Sequence, residues 1–100
     1  VPTHLVVRRR SGPEWETALP IREQTGWREH AAFMDKLAED GVIVFGGPIE
    51  SDDRVVLAVE AGSADEVRAK LADDPWSESH LVLTEVVPWS IWLRSAHLQR

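Results

Sequence analysis

The chain of 100 residues contains no cysteine. That excludes disulfides, thiolate metal sites and a cysteine nucleophile. It has no apolar run near the roughly 18 residues needed to cross a membrane, and no stretch reads as a signal peptide. The expectation is a soluble cytoplasmic protein. Basic residues are few. Eleven Lys and Arg face 17 Asp and Glu, for a formal charge of −6, and Arg8-Arg9-Arg10 is the one basic cluster. Nucleic acid is therefore not expected as a partner. Histidine numbers four, with no pair at i, i+4 spacing and no HExxH, so no metal is expected. The serines form no nucleophile elbow and the glycines no phosphate loop. No internal repeat or low-complexity tract is present.

What the chain does have is tryptophan, five in 100 residues, and a regular succession of elements. The length fits a single domain with a modest core. Residues 3–10 are rich in β-formers and read as a strand. Residues 11–25 carry a Gly-Pro and a second proline and read as a long loop, of the kind that is often functional. Residues 26–40 form an amphipathic helix, with Thr25 as its N-cap and Gly41 as its stop. Trp27, Ala31, Met34 and Ala38 share one face, which Phe33 and Leu37 widen. Residues 42–49 and 54–61 form a hairpin around a turn at 50–53. Residues 63–74 form a second helix, with a capping box of Ser63 and Glu66. Residues 80–93 form the last strand, where Pro88 marks an edge or a bulge.

The order βαββαβ predicts a ferredoxin-like α+β fold, with a four-stranded antiparallel sheet and both helices on one face. Odd strand positions are apolar (Leu5, Val7, Ile43, Phe45, Val55, Leu57, Val59, Leu81 and Leu83) and are expected beneath the helices. Even positions are largely apolar too, among them Val6, Val44, Val56, Ala58 and Val86. A sheet with one face in water alternates more cleanly than this. No element is left over to cover the second face, so a homodimer stacked sheet on sheet is expected. Glu85, on the helix-covered parity, needs either a partner or a bulge that turns it away.

Two residues stand out as candidates for chemistry. His30, on the first helix near Phe33, Met34 and Leu37, is either a border histidine with a local partner or a general acid/base, since imidazole titrates near neutral pH. Asp74 precedes Pro75, which forces it off the helical pattern. It is either a turn former or a functional acid. The first helix also ends in acids (Glu39, Asp40) without any sign of a site, so acids at a helix end say little alone, and Asp73 reads as a solvated terminus. Gly46, Gly47 and Pro48 either end a strand or let a ligand approach the backbone closely. Trp15, Trp27 and Trp76 are either packing or an aromatic wall for a flat ligand.

In combination, WREHAAFMDKLAEDGVIVFGGP (27–48), ADEVRAKLADDPW (64–76) and VVPW (86–89) resemble the YciI-like (YCII-related) family, over about residues 3–93. The resemblance implies a dimeric α/β barrel and an active site built on His30 and Asp74. One relative type of this family is a dehydrochlorinase acting on a chlorinated hydroxyhydroquinone with a His-Asp pair; most members have no assigned reaction. Two departures stand against the family pattern. Trp27 occupies the position where short members tend to carry arginine, and Arg28 lies on a different helical face. The loop at 11–25, with Trp15, is additional, and could close over a pocket near His30. The resulting expectation is a single domain over 1–100 and a small cofactor-independent enzyme of lyase or isomerase type. His30 and Asp74 would be catalytic, Gly47 and Pro48 the pocket floor, and Trp27 and Trp76 its walls. The alternatives are a non-catalytic small-molecule-binding or regulatory module, and a purely structural dimer.

Overall fold

The computed structural model describes residues 1–96. Four strands, β1 (Thr3–Arg9), β2 (Ile43–Pro48), β3 (Arg54–Glu60) and β4 (Val82–Pro88), and two helices, α1 (Trp27–Glu39) and α2 (Ala64–Ala72), occur in the order βαββαβ, with a short 3₁₀ turn at Ile21–Glu23. The sheet is antiparallel with strand order β2-β3-β1-β4. This is the ferredoxin-like α+β arrangement. Val67 and Leu71 of α2 join Val6, Leu57, Val59 and Val86 of the sheet in one core, against which Trp27, Met34 and Leu37 of α1 also pack.

Local chemistry explains the helix ends. Ser63 Oγ accepts the Glu66 amide at 3.1 Å, while the Glu66 carboxylate accepts the Gly62 amide at 2.8 Å. The capping box thus reaches back one residue beyond the cap. At α1 the N-cap is Gly26 rather than Thr25. Gly26 has φ +81°, and a Cβ there would lie 3.1 Å from Trp76 Nε1. The left-handed turn and the close indole both favour glycine. The Thr25 carbonyl instead accepts the Trp76 indole N–H at 2.8 Å. Gly41, at φ +79°, follows the C-terminus of α1 as expected.

The expected sheet parity is corrected in β1. Val6 lies opposite Leu57, His4 opposite Val59 and Arg8 opposite Val55. Residues opposite one another project to the same face, so the even positions of β1, not Leu5 and Val7, lie beneath the helices. Two irregularities complete the correction. The β1–β4 register shifts between Val7, paired with Glu85, and Arg8, paired with Leu83. This bulge turns Glu85 to the open face, where it is exposed. A second shift between Ile43 and Phe45 puts Phe45 opposite Ala58, also on the open face. Pro88 ends β4, an edge strand, where its missing N–H costs no ladder bond.

The open face carries Leu5, Val7, Phe45, Val56, Ala58 and Val87. Part of it is covered from within the chain, contrary to expectation. Residues 89–94 follow β4 back across Thr3, Phe45 and Ala58, enclosing a small cavity of about 140 Å³. Phe45 remains 46% exposed and Val87 40%.

Candidate functional site

Asp74 is where the chain leaves α2. Its backbone N–H still bonds to Leu71 O at 3.1 Å, and its side chain folds over Pro75 to accept the Trp76 N–H at 2.9 Å. This Asx-type turn is what an aspartate before proline does readily. Asp73 caps α2 and is exposed, whereas Asp74 is buried with 0% side-chain exposure. The carboxylate points into the gap between α1 and the sheet. There it meets His30, whose Nδ1 stands 2.8 Å from Oδ1 and 3.0 Å from Oδ2. From β1, Arg8 Nη1 donates to Oδ2 at 2.8 Å. Arg8 is itself 2% exposed.

Three donors therefore converge on one buried carboxylate. Burial by itself would push the Asp74 carboxyl up. The His30 hydrogen bond, the Trp76 amide and the Arg8 charge outweigh it, so the group is held below its ordinary value. An ionised carboxylate only accepts, so it takes the His30 Nδ1 proton bond and sets the tautomer. In the neutral ring Nε2 is then the unprotonated nitrogen. Among the described residues no hydrogen bond engages Nε2.

The imidazole plane is set by aromatic packing. His30 stacks on the Trp76 indole at 4.2 Å and 9° between planes. His80 stacks on the other indole face at 4.6 Å and 17°. Trp15 meets Trp76 edge-on at 6.0 Å. Trp76 is 1% exposed. It backs the histidine and is absent from the cavity wall assigned to it by sequence.

The cavity itself lies between α1 and β2, with a volume of about 360 Å³. Its origin is visible in α1. The helix has a broad apolar face, yet His30 is the one α1 residue that is buried. Met34 and Leu37 are half-buried and Ala38 exposed, and Met34 and Ala38 line the cavity. Trp27, Met34, Ile43, Leu57 and Leu81 form apolar walls, His30 lies at one side, and Gly46, Gly47 and Pro48 line the β2 edge. A pocket of this size with few polar groups suits a small ligand. Of the two glycines, Gly46 is the constrained one. A Cβ there would lie 2.5 Å from Leu57 Cδ2 and 2.7 Å from Val56 O, whereas at Gly47 nothing lies within 4 Å.

The 11–25 loop does not hang free over the cavity. Gly12 N–H bonds to His80 O at 3.1 Å and Glu14 N–H to Ser79 O at 2.8 Å. The buried Gln24 amide satisfies Glu16 N–H, Glu16 O and Leu19 O at 2.9, 2.7 and 3.0 Å. The loop is thus a packed Ω-type segment that presses Trp15 on Trp76 and adds Ile21 to the cavity wall.

Sequence reasoning brought His30 and Asp74 together and missed Arg8 and His80. Arg8 had a signal, a long cation among apolar residues on a strand, but the misassigned parity of β1 placed it on the wrong face. His80 reaches Trp76 only through the turn after Pro75, where Trp76 O accepts the amides of both His80 and Leu81 at 3.1 Å. No group of His, Asp and Glu suited to hold a metal occurs among the described residues, and none of their helices is long and apolar enough to cross a membrane.

A family model described as the YCII-related domain matches residues 12–90. No curated protein and no solved structure matches the chain.

Proposed function

The chain belongs to the YCII-related family, and from that premise we propose that it is a small cofactor-independent enzyme of lyase or isomerase type. His30 moves a proton on a small cyclic or aromatic substrate held in the cavity between α1 and β2. One observation carries this reading: an imidazole is anchored through Nδ1 to a buried, ionised carboxylate and lines an apolar cavity, with no hydrogen-bond partner on Nε2 among the described residues.

The steps balance simply. Nε2 takes a proton from an acidified C–H or O–H of the ring. The electron pair left behind either expels a leaving group from the neighbouring carbon, as halide, or is quenched by proton return at another carbon. The imidazolium formed stays hydrogen-bonded to Asp74 and faces the Trp76 ring, whose π electrons favour a cation. Arg8 neutralises Asp74 in the resting state, so the site holds no net charge while the imidazole is neutral. Asp74 and Arg8 act through His30 as positioning residues. Trp27 and the β2 edge at Gly47 and Pro48 bound the substrate.

In this reading the active form is a homodimer joined through the open sheet face, where Phe45 and Val87 leave apolar surface in water. Light scattering should then give about twice the 11.2 kDa of one chain.

The catalytic reading is tested by incubating the protein with small cyclic ketones and chlorinated phenols in D₂O. Deuterium incorporation or chloride release should occur with the native protein and fall by about 10²-fold or more in a folded His30→Asn variant. Ligand binding with no exchange in any member of the panel would overturn catalysis in favour of a binding module. No binding at all would leave the structural reading.

A further inference from the structure

The cavity has an unusual charge balance. Among the described residues its only ionisable lining groups are His30 and Asp35, and no lysine or arginine lines it. Arg8, which shares the Asp74 carboxylate with the imidazole, is paired to it at 2.8 Å and does not line the cavity. Arg28 is exposed two turns N-terminal to Asp35 on the same strip of α1, about 10 Å along the axis, and does not line the cavity. Asp35 lies on the rim, exposed, with no hydrogen bond or ion pair among the described residues. A carboxylate or phosphate entering this space would lose water, find no cation to replace it, and face an unpaired carboxylate at the mouth. A cation would find that carboxylate, together with the Trp27 ring in the wall.

Resting on the reading of the cavity as the ligand site, we propose that Asp35 is a specificity-determining residue that selects ligands by charge. The cavity admits cyclic ligands in the order cationic over neutral over anionic. The substrate is then a ring that is neutral or carries an amine, and ring carboxylates and phosphates are excluded. Asp35 takes no part in the proton transfer.

The test uses three ligands of one shape: benzylamine, benzyl alcohol and benzoate. Binding is followed at pH 7 by the His30 ring signals in NMR titrations of the full chain. For the native protein benzylamine should bind best and benzoate about fivefold more weakly than benzyl alcohol, as expected for an exposed carboxylate at the mouth acting largely through water. Asp35→Asn should close most of the gap between benzylamine and benzoate, leaving benzoate weaker only by its dehydration cost in a cavity without a lining cation. Asp35→Lys should reverse the order, and benzyl alcohol should bind alike to all three proteins. Both substitutions are at an exposed helical position, so circular dichroism should be unchanged. Benzoate binding as well as benzyl alcohol in the native protein would overturn the charge selection. A native ranking that both variants leave intact would overturn the role of Asp35 in it. Neither result touches the cavity itself. Failure of all three ligands to move the His30 signals would instead overturn the ligand-site reading, and the inference with it.

Discussion

Replacing Asp74 by asparagine isolates the charge at the centre of the site. The side chain has 0% exposure and its partner Arg8 2%, so the pair is screened by protein rather than water. Asparagine keeps an oxygen for the Trp76 amide but leaves the Arg8 guanidinium facing a neutral group. Breaking one side of a buried pair costs about 3–5 kcal/mol. The hydrogen bonds that asparagine retains, and the carboxylate burial it relieves, reduce this to about 2–4 kcal/mol. Urea unfolding at pH 7, with a slope of about 1–2 kcal/mol/M for a domain of this size, should therefore show a midpoint lower by about 2 M. Adding Arg8→Met should recover about half of the loss, because it removes the stranded cation.

The pH dependence has a definite sign. The folded Asp74 pKa lies below the unfolded one, so the contribution of its charge is complete above the unfolded value near 4. It is lost as pH falls through the folded value. The gap between native protein and Asp74→Asn should narrow as the pH falls below about 4 and through the folded value. A variant within about 0.5 kcal/mol of native at pH 7, or a gap that does not narrow in acid, would refute the placing of an ionised carboxylate at the centre of this network.

Three further outcomes are expected. Gly46→Ala should destabilise by about 1–3 kcal/mol through the clash of its Cβ with Leu57 and Val56, while Gly47→Ala should cost less than about 1 kcal/mol; paired thermal melts distinguish them. Ser63→Ala should cost about 1 kcal/mol in urea by leaving the Glu66 amide uncapped, without changing the His30 NMR signals. Gln24→Ala should cost about 1–3 kcal/mol, since Gln24 is 3% exposed and bonds to the loop at three points. It should also open residues 11–25 to limited proteolysis, whereas a loop that acts as a hinged lid would be cleaved in the native protein as well.

Much of this architecture is legible locally. The order of the elements, the Ser63 cap, the Gly41 stop and the displacement of Asp74 by Pro75 each depend on a few neighbouring residues, which act the same way wherever the chain goes. The same locality makes His30 and Asp74 visible as candidates, though only the family pattern pairs them. Sheet parity is different. Whether Val6 or Leu5 faces the helices depends on how β1 registers with β3, and composition misleads, because the face with His4, Val6 and Arg8 is the less apolar one yet lies beneath the helices. One bulge beside Arg8 then decides where Glu85 points.

The sequence by itself therefore determined the fold class, the helix boundaries to within a residue or two, and the two side chains most worth watching. The tertiary structure decided the rest. It placed Arg8 behind Asp74, put Trp76 behind the imidazole instead of across the cavity, pinned the 11–25 loop through Gln24, and left a cavity between α1 and β2. These features share a physical reason. Each is a contact between residues distant in the chain, set by register and by packing volume, and neither quantity is encoded at any single position.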